Sequence, residues 1–284
     1  MRICVVGLGR MGRGMAINLA NKGHEVYGYD VDQRAIEAAR STGKINVAND
    51  VKSCASNSDY VIFALPTGRE SLEVLNNIGG FRGIIMDTTT MGMGEVREVL
   101  KVVESRGLRY LSIRVERGPR DAEQGNLILY VGGDEGLYKE SLGILNQLGT
   151  PIYVGSHEQV TALKLISNTI LTANTIILAE VSAVIRRMGI DPDLVVKALS
   201  MGGADSAQLR TRLPWMLKGN YPESFSIRLA RDVIDKALEY AQSMGIQLPI
   251  TTLIDELLRI AEAAGYGSRD FSEIAEMLKV NERK

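Results

Sequence analysis

The sequence has no excess of charge of either sign, and this balance excludes some partners. Among 284 residues, 33 Lys and Arg stand against 34 Asp and Glu, a formal net charge of −1. Proteins that bind nucleic acid or anionic membranes usually carry a basic excess or a basic stripe. The composition therefore predicts neither a nucleic-acid partner nor a membrane-surface partner.

Cysteine and histidine are also scarce. The two cysteines, Cys4 and Cys54, cannot build a disulfide framework. We expect two reduced, buried thiols, as in a cytosolic protein, and a single bridge between them is the alternative. The two histidines, His24 and His157, lack metal-ligand spacing to cysteines or carboxylates, so no metal is predicted.

Long hydrophobic runs and a leader-like segment are missing as well. A membrane span needs about 18 consecutive apolar residues, whereas the longest uninterrupted runs, such as 61–65, have the length of a buried strand. The chain enters a strand-like run directly after Met1 and Arg2, without the pattern of a signal peptide. These features predict a soluble, cytoplasmic protein.

The first half of the chain alternates short apolar runs with amphipathic segments. The runs are rich in Val, Ile and Tyr and are bounded by Gly, Asp or Pro, which is typical of strands. Such alternation predicts a parallel, doubly wound sheet with helices on both faces. The predicted strands are 2–6, 25–29, 60–65, 84–86, 109–115 and 127–131, and the predicted helices are 11–22, 32–41, 69–76, 94–105 and 135–148.

The second half opens with 33 residues, 156–188, that contain no Gly or Pro. As one helix they would span about 45–50 Å, which exceeds a small domain, so we expect this helix to leave the sheet and scaffold an all-helical domain. The predicted domains are therefore 1–155 and 156–284. An extended apolar stripe along the helix predicts a homodimer or homotetramer, and it comprises Val160, Leu163, Ile166, Ile170, Ile177, Val181, Val184 and Met188.

Residues 7–12 form a G-x-G-x-x-G pattern between the first strand and the first helix. In that context Gly7 permits a tight turn, Gly9 lets the backbone approach a pyrophosphate, and Gly12 lets helix and strand pack closely. The helix N-terminus then offers N–H groups to the phosphates. The sequence thus predicts an α/β, Rossmann-type dinucleotide-binding domain followed by an all-α domain. The predicted cofactor contacts in the turn are Gly7, Leu8, Gly9, Arg10, Met11 and Gly12.

Asp30 follows Gly7 by 23 residues, at the end of the second predicted strand. A carboxylate there accepts the hydroxyls of the adenosine ribose and repels a 2′-phosphate, which favours NAD over NADP. Arg34 favours NADP instead, because a guanidinium one turn later could bind that phosphate. NAD is therefore the predicted cofactor, with NADP as the alternative.

Several segments resemble the β-hydroxyacid dehydrogenases, the family that includes 3-hydroxyisobutyrate dehydrogenase. The opening matches over V-V-G-L-G-R-M-G at 5–12, M-A-I-N-L at 15–19 and K-G-H-E-V at 22–26. Further matches are Leu65-Pro66, Asp87-Thr88-Thr89-Thr90, Gly155 with Lys164, Ala179-Glu180, and Met188-Gly189-Ile190-Asp191. The resemblance implies hydride transfer between NAD(P) and a small anionic 3-hydroxyacid of the 3-hydroxyisobutyrate, serine or tartronate-semialdehyde type. It also places the nicotinamide near Leu65, Pro66 and Thr90.

The resemblance further implies that Lys164 is the catalytic acid/base. Burial or a nearby cation lowers the pKa of a lysine, so that its amine can take the hydroxyl proton as the hydride leaves. Asn168 lies four residues later, on the same helix face, where an amide can hold the substrate hydroxyl or carboxylate. Thr161 and Thr172 continue this polar face.

The substrate loop departs from the family pattern. Where the family typically has D-A-P-V-S-G-G, residues 112–118 are S-I-R-V-E-R-G, with Glu116 at the serine position, Arg117 at a glycine position, and Gly118 retained. We assign these three residues to the substrate loop, where the new side chains would crowd a small hydroxyacid or recognise something different. Guanidinium groups suit anions, so Arg114, Arg117 and Arg120 are candidates for a second anion contact; solvation, or pairing with Glu116 and Asp121, is the alternative.

A second departure concerns the helical domain. Counted without gaps from Phe225, the family's Lys-Asp pair falls on Asp232 and Val233, and we assign Asp232 to the cofactor contacts. Two other functions stay open at this point. An imine reductase of similar architecture is disfavoured by Lys164, and a cofactor-binding protein without turnover is suggested by the altered loop.

Overall fold

The chain divides into two units, Met1–Lys164 and Leu165–Lys284. The computed structural model describes residues 1–56, 58–222 and 224–278. The division falls inside the long helix. The first two turns of that helix are bound to the sheet, since Thr161 and Lys164 hydrogen-bond to strand residues.

The first unit is built on one eight-stranded sheet with the order β3-β2-β1-β4-β5-β6-β7-β8. Neighbouring strands are parallel except β6 and β7, which are antiparallel. The doubly wound sheet is thus confirmed, and the antiparallel pair is an addition to it. The strands are β1 (Arg2–Val6), β2 (Glu25–Tyr29), β3 (Asn46–Val47), β4 (Tyr60–Phe63), β5 (Ile84–Asp87), β6 (Arg109–Glu116), β7 (Leu127–Gly133) and β8 (Gly149–Gly155).

Helices cover both faces of this sheet, as the side chains of β1 show. Ile3 and Val5 point into one hydrophobic cluster, and Cys4 and Val6 point into the other. Strand side chains alternate between faces, so a strand that is apolar throughout requires cover on both sides. The helices are α1 (Arg10–Asn21), α2 (Gln33–Arg40), α3 (Val51–Ala55), α4 (Gly68–Asn77), α5 (Met93–Ser105), α6 (Pro119–Gln124) and α7 (Glu135–Leu148).

The two cysteines form a disulfide, which corrects the expectation of two reduced thiols. Cys4 on β1 and Cys54 on α3 have Cα atoms 5.4 Å apart, and both residues are buried, as expected. The bridge forms because α3 packs on the sheet face to which Cys4 points, a contact that 50 residues of intervening sequence do not reveal. In the chain-entropy account, closing a loop of this length stabilises the fold by about 4 kcal/mol.

The second unit is helical, as predicted. The long helix α8 (His157–Met188) starts in the first unit and ends before Gly189, whose positive φ of 66° stops it. The hydrophobic core of the second unit includes Leu213, Ile234, Leu258 and Phe271. The other helices are α9 (Pro192–Ser200), α10 (Ala207–Lys218), α11 (Ile227–Ser243), α12 (Pro249–Ala261) and α13 (Ile274–Met277). The sequence is also helix-like over 272–279, and the last residue of that segment lies outside the described range.

The apolar stripe of α8 is largely exposed in the single chain. Five of its members are 52–62% exposed, namely Ile166, Ile170, Ile177, Val184 and Met188. Within the described part of the chain, α8 is also the one helix whose length and mean hydropathy, 1.4 over an 18-residue window, would suffice to cross a membrane. Helices of soluble proteins meet the same criterion, and 44% of that window is buried within the protein.

Candidate active site

The glycine-rich turn between β1 and α1 has little room for side chains except at one position. Gly7 has a φ of +94°, and a Cβ there would lie 2.3 Å from the carbonyl oxygen of Ala64. A Cβ on Gly12 would lie 1.9 Å from the carbonyl oxygen of Gly7. At Gly9, by contrast, a Cβ would have nothing within 4 Å. Gly7 and Gly12 are therefore required by packing, whereas the space beside Gly9 can receive a ligand.

Asp30 holds this turn in place. Its Oδ2 accepts a hydrogen bond from the Leu8 N–H at 2.6 Å, and its Oδ1 accepts one from the Asp32 N–H at 2.8 Å. Helix α1 begins after Gly9, which has no side chain to cap the first N–H groups. An uncapped helix N-terminus with open space beside it suits an anion such as a pyrophosphate, so the turn fits a dinucleotide. Arg34 lies against Asp32 at 3.4 Å and is largely exposed.

The neighbouring strand ends contribute the other residues assigned to the cofactor. Leu65 follows β4, and its N–H donates to Thr89 Oγ1 at 3.4 Å. Pro66 is exposed and Thr90 is half-buried. The carboxyl ends of parallel strands share one edge of a sheet, and ligands of open α/β sheets bind at that edge.

Lys164, the last residue of the first unit, is held at the end of β6. It is only 8% exposed. Its Nζ donates a hydrogen bond to the Val115 carbonyl at 2.8 Å and lies 3.0 Å from Glu116 Oε1. The residue that replaces the family's serine therefore forms an ion pair with the candidate catalytic amine.

Arg114 fixes the start of α8 against the sheet. It is 1% exposed, and its Nη1 donates to the carbonyl oxygens of Asp87 at 3.2 Å and Ile113 at 3.1 Å. Its Nη2 donates to Thr161 Oγ1 at 3.1 Å. Because Thr161 lies one turn before Lys164, this hydrogen bond helps to fix the position of the Lys164 amine.

A regular pairing between β6 and α8 underlies both contacts. Alternate strand residues share one face of a sheet, and helix residues three or four apart share one face of a helix. The paired residues follow both periods: Ser112 with His157, Arg114 with Thr161, and Glu116 with Lys164. We call these six residues the β6–α8 polar ladder. The sequence analysis did not predict these three pairings, although a polar residue at every second position of β6 was the available signal.

The electrostatic environment lowers the proton affinity of the ladder's basic groups. Burial lowers the pKa of Lys164, the carboxylate of Glu116 opposes that shift, and the charge of Arg114 adds to it. Burial and Arg114 also lower the pKa of His157 to about 4, so its imidazole is neutral at pH 7. Lys164 thus has the environment of an amine that can exchange a proton.

The rest of the predicted substrate loop is engaged within the first unit. Arg117 has a φ of 77° and donates from Nη1 to the Asn126 carbonyl at 2.8 Å. The Gly118 N–H donates to Asp121 Oδ2 at 3.2 Å. Arg117 and Arg120 are exposed whereas Arg114 is buried, so the three arginines stand in different environments.

Two predicted site residues belong to the second unit. Asn168 is buried on α8. Asp232 is exposed on α11, where its carboxylate accepts a hydrogen bond from Lys236 Nζ at 2.9 Å. Among the residues that the structure describes, no cluster of three His, Cys, Asp or Glu side chains could hold a metal ion.

The fold and the glycine-rich turn define a dinucleotide-binding protein of the Rossmann type. The family model for the NAD binding domain of 6-phosphogluconate dehydrogenase matches residues 2–157. The model described as NAD-binding of NADP-dependent 3-hydroxyisobutyrate dehydrogenase matches residues 159–278. The chain belongs to the β-hydroxyacid dehydrogenase family, which confirms the resemblance seen in the sequence.

Three known proteins illustrate the similarity. The 2-(hydroxymethyl)glutarate dehydrogenase of Eubacterium barkeri is 26% identical over 96% of this chain and 93% of its own length. The human mitochondrial 3-hydroxyisobutyrate dehydrogenase is 28% identical over 98% and 86%. The structure of Mycobacterium tuberculosis 3-hydroxyisobutyrate dehydrogenase with L-serine superimposes with a TM-score of 0.87 at 23% identity, covering 98% and 99%. At that identity the last comparison shows the fold alone.

Proposed function

We propose that the protein is an NAD-dependent dehydrogenase of a small 3-hydroxyacid, of the 3-hydroxyisobutyrate, serine or tartronate-semialdehyde type. The observation that carries the proposal is the buried amine of Lys164, hydrogen-bonded to the carbonyl at the end of β6. The names of the two curated relatives, both hydroxyacid dehydrogenases, support the substrate class.

In this proposal the chain binds the cofactor with the first unit. The N–H groups at the start of α1 bind the pyrophosphate beside Gly9, and Asp30 accepts the ribose hydroxyls. The backbone of Leu8, Arg10 and Met11 completes the turn, and Leu65, Pro66 and Thr90 contact the nicotinamide end. The assignment of Asp232 to the cofactor is retained from the family resemblance.

Lys164 exchanges the proton in the proposed reaction. In oxidation its neutral amine takes the hydroxyl proton; in reduction its ammonium returns a proton to the carbonyl oxygen. A bound nicotinamide supplies the chemistry of accepting or donating the hydride. Asn168, one helical turn after Lys164, is assigned to hold the substrate, together with the loop residues Glu116, Arg117 and Gly118.

The direct test is formation of NADH, followed at 340 nm, with a panel of 3-hydroxyacids. Turnover of at least one of them, with Lys164 required, is the expected result. Binding of NADH without turnover of any hydroxyacid, and without reduction of the matching semialdehydes, would instead favour a cofactor-binding protein.

We predict that Asp30→Ser narrows the preference for NADH over NADPH about 10-fold, because the carboxylate that repels a 2′-phosphate is gone. Asp30 also holds the Leu8 N–H, so affinity for both cofactors should fall and the ratio of the two dissociation constants is the measurement. Calorimetric titration with both cofactors gives that ratio. Arg34→Gln is the companion variant; we expect no change in its ratio, since the guanidinium lies against Asp32. An unchanged ratio in Asp30→Ser would reject Asp30 as the selecting residue.

We also propose that the exposed stripe of α8 is covered by further copies of the chain in a homodimer or homotetramer. Large contiguous apolar surfaces on a soluble protein usually mark an interface. Ile177→Glu, at a position 52% exposed, should convert the assembly to monomers in sedimentation velocity. Ile152→Glu on β8, 46% exposed and outside the stripe, is the matched control. A wild-type protein that sediments as a monomer would contradict the proposal.

A further inference from the structure

Two loops at the carboxyl edge of the sheet are joined by one carboxylate. Glu95 lies in the first turn of α5 and is half-buried. Its Oε2 accepts a hydrogen bond from the Gly92 N–H at 2.7 Å, and its Oε1 accepts one from the Gly68 N–H at 3.0 Å. Gly92 ends the loop between β5 and α5, and Gly68 follows the loop between β4 and α4. Glu95 therefore connects the two loops.

The packing at this contact is as close as the hydrogen bonding. Gly68 is buried, and a Cβ added there would lie 2.7 Å from the Cβ of Glu95. Carbon atoms prefer a separation of about 3.5–4.0 Å, so a side chain at position 68 would displace Glu95. The glycine at 68 thus makes room for the side chain at 95, a requirement that a cap of α5 alone would not impose.

A second and weaker contact joins the same loops. Thr89 Oγ1 accepts a hydrogen bond from the Leu65 N–H at 3.4 Å and another from Ser71 Oγ at 3.1 Å. Hydrogen bonds to an ionised carboxylate are about twice as strong as those between neutral groups. Glu95 therefore supplies the stronger of the two connections between the loops that carry the residues assigned to the nicotinamide.

The loop after β5 is also linked to the turn before Lys164. Arg114 donates hydrogen bonds to the Asp87 carbonyl, at the end of β5, and to Thr161 Oγ1. A shift of this loop would therefore disturb the group that we assign to proton transfer as well as the residues assigned to the cofactor. A displacement of about 1 Å between reacting groups can lower a rate about 10²-fold.

We propose that Glu95 is a positioning residue whose carboxylate holds the β4–α4 and β5–α5 loops at the separation that the nicotinamide half of the cofactor requires. This inference rests on the proposed function, which assigns those loops to the nicotinamide. Glu95 takes no part in the bond changes, because it acts through the backbone N–H groups of Gly68 and Gly92. Its loss should affect the nicotinamide end of the cofactor more than the adenosine end.

The first test shortens the carboxylate by one methylene group. At the same position of α6, the Asp121 carboxylate accepts a hydrogen bond from the Gly118 N–H, so an aspartate at the third residue of a helix can bond within its own turn. Glu95→Asp should therefore keep the bond to Gly92. It should lose the bond to Gly68, because the side chain is shorter by about 1.5 Å.

Calorimetric titrations with NADH and with ADP-ribose, which lacks the nicotinamide, measure the effect at each end of the cofactor. In Glu95→Asp we expect the dissociation constant of NADH to rise about 10-fold, as for the loss of one charge-assisted hydrogen bond. That of ADP-ribose should change less than about 2-fold, and kcat should fall about 10- to 100-fold. Glu70→Asp is the matched control, since Glu70 is the third residue of α4 and accepts hydrogen bonds from Thr67 of its own turn. Both dissociation constants should stay at their wild-type values there.

Gly68→Ala tests the same connection from the other loop and changes no charge. The added methyl group would displace Glu95, so the ratio of the two dissociation constants should shift in the same direction as in Glu95→Asp. The thermal midpoint of each variant reports whether it is folded.

The outcomes separate this inference from the proposed function. Unchanged dissociation constants in Glu95→Asp, or equal losses of affinity for NADH and ADP-ribose, would overturn the positioning role and leave the dehydrogenase function intact. A wild-type protein that binds the two ligands equally would overturn it too, because the loops would then hold no nicotinamide. A selective loss of NADH affinity without turnover of any hydroxyacid by the wild type would support the role of Glu95 and contradict the proposed function.

Discussion

Lys164→Ala is expected to lower kcat by about 10²- to 10⁴-fold, the usual contribution of a positioned acid/base. Lys164 Nζ is the group that we assign to take the hydroxyl proton, and the variant has nothing to replace it at the end of β6. Affinity for NADH should stay close to wild type, because the glycine-rich turn and Asp30 lie in other elements. Steady-state kinetics and a fluorescence titration with NADH measure the two quantities separately.

The controls for this experiment follow from the ion pair with Glu116. Removing one partner of a buried ion pair destabilises the fold, so the thermal midpoint of Lys164→Ala, measured beside that of a Lys164→Ala/Glu116→Ala double variant, shows how much of any loss is structural. Lys164→Arg retains a cation, but a guanidinium has a much higher pKa than an amine. This variant should therefore also be inactive, because the arginine cannot act as a base. Lys101→Ala, at an exposed position on α5, should behave as wild type. A kcat within a few-fold of wild type in Lys164→Ala would remove Lys164 from the chemistry.

The sheet could be predicted because its strands are short, apolar and separated by amphipathic helices. Strand β6 also shows where that reasoning stopped. Residues 117–126 connect it to β7 with only the short helix α6 between them, and a parallel crossover needs a dozen or more residues. The short connection therefore requires β6 and β7 to be antiparallel. The prediction of a parallel sheet used the pattern of the strands and did not use the length of this connection. Strands β3 and β8 were missed because β3 has two residues and no residue of β8 is fully buried, so neither carries a clear apolar pattern.

The candidate site was predicted only where the sequence has local motifs. The turn at 7–12 can be recognised within six residues, and Lys164 by its family resemblance. The β6–α8 polar ladder joins residues more than 40 positions apart, and its partners are polar residues of ordinary types. Glu116 was therefore assigned to the substrate loop without its partner. Arg114 was a candidate anion ligand, whereas its Nη1 and Nη2 donate to carbonyl and hydroxyl oxygens of the protein. Such pairings depend on how the first turns of α8 pack against β6. No local pattern in the sequence specifies that packing.

The glycine-rich turn allows a test that separates ligand binding from folding. Gly9→Val should weaken NADH binding about 100-fold, because the side chain fills the space beside the α1 N-terminus and displaces charge-assisted hydrogen bonds to the pyrophosphate, each of which contributes about 1.5–3 kcal/mol. The fold should tolerate the change. A Cβ at Gly9 meets nothing within 4 Å, and its φ of −57° suits any residue, so the thermal midpoint should stay within about 2 °C of wild type.

Gly12→Val, three residues further along the chain, is the matched control. We expect this variant to lose stability rather than to lose cofactor binding in a stable fold. Its Cβ would lie 1.9 Å from the Gly7 carbonyl and 3.0 Å from Ala64 Cβ, so α1 must move away from β1 at a cost of about 3 kcal/mol or more. Thermal unfolding without cofactor measures that cost. If both variants lost stability equally, or if Gly9→Val bound NADH as wild type does, the space beside Gly9 would not be the pyrophosphate site. A selective loss of binding in Gly9→Val and of stability in Gly12→Val would place the dinucleotide on this turn independently of any assay of turnover.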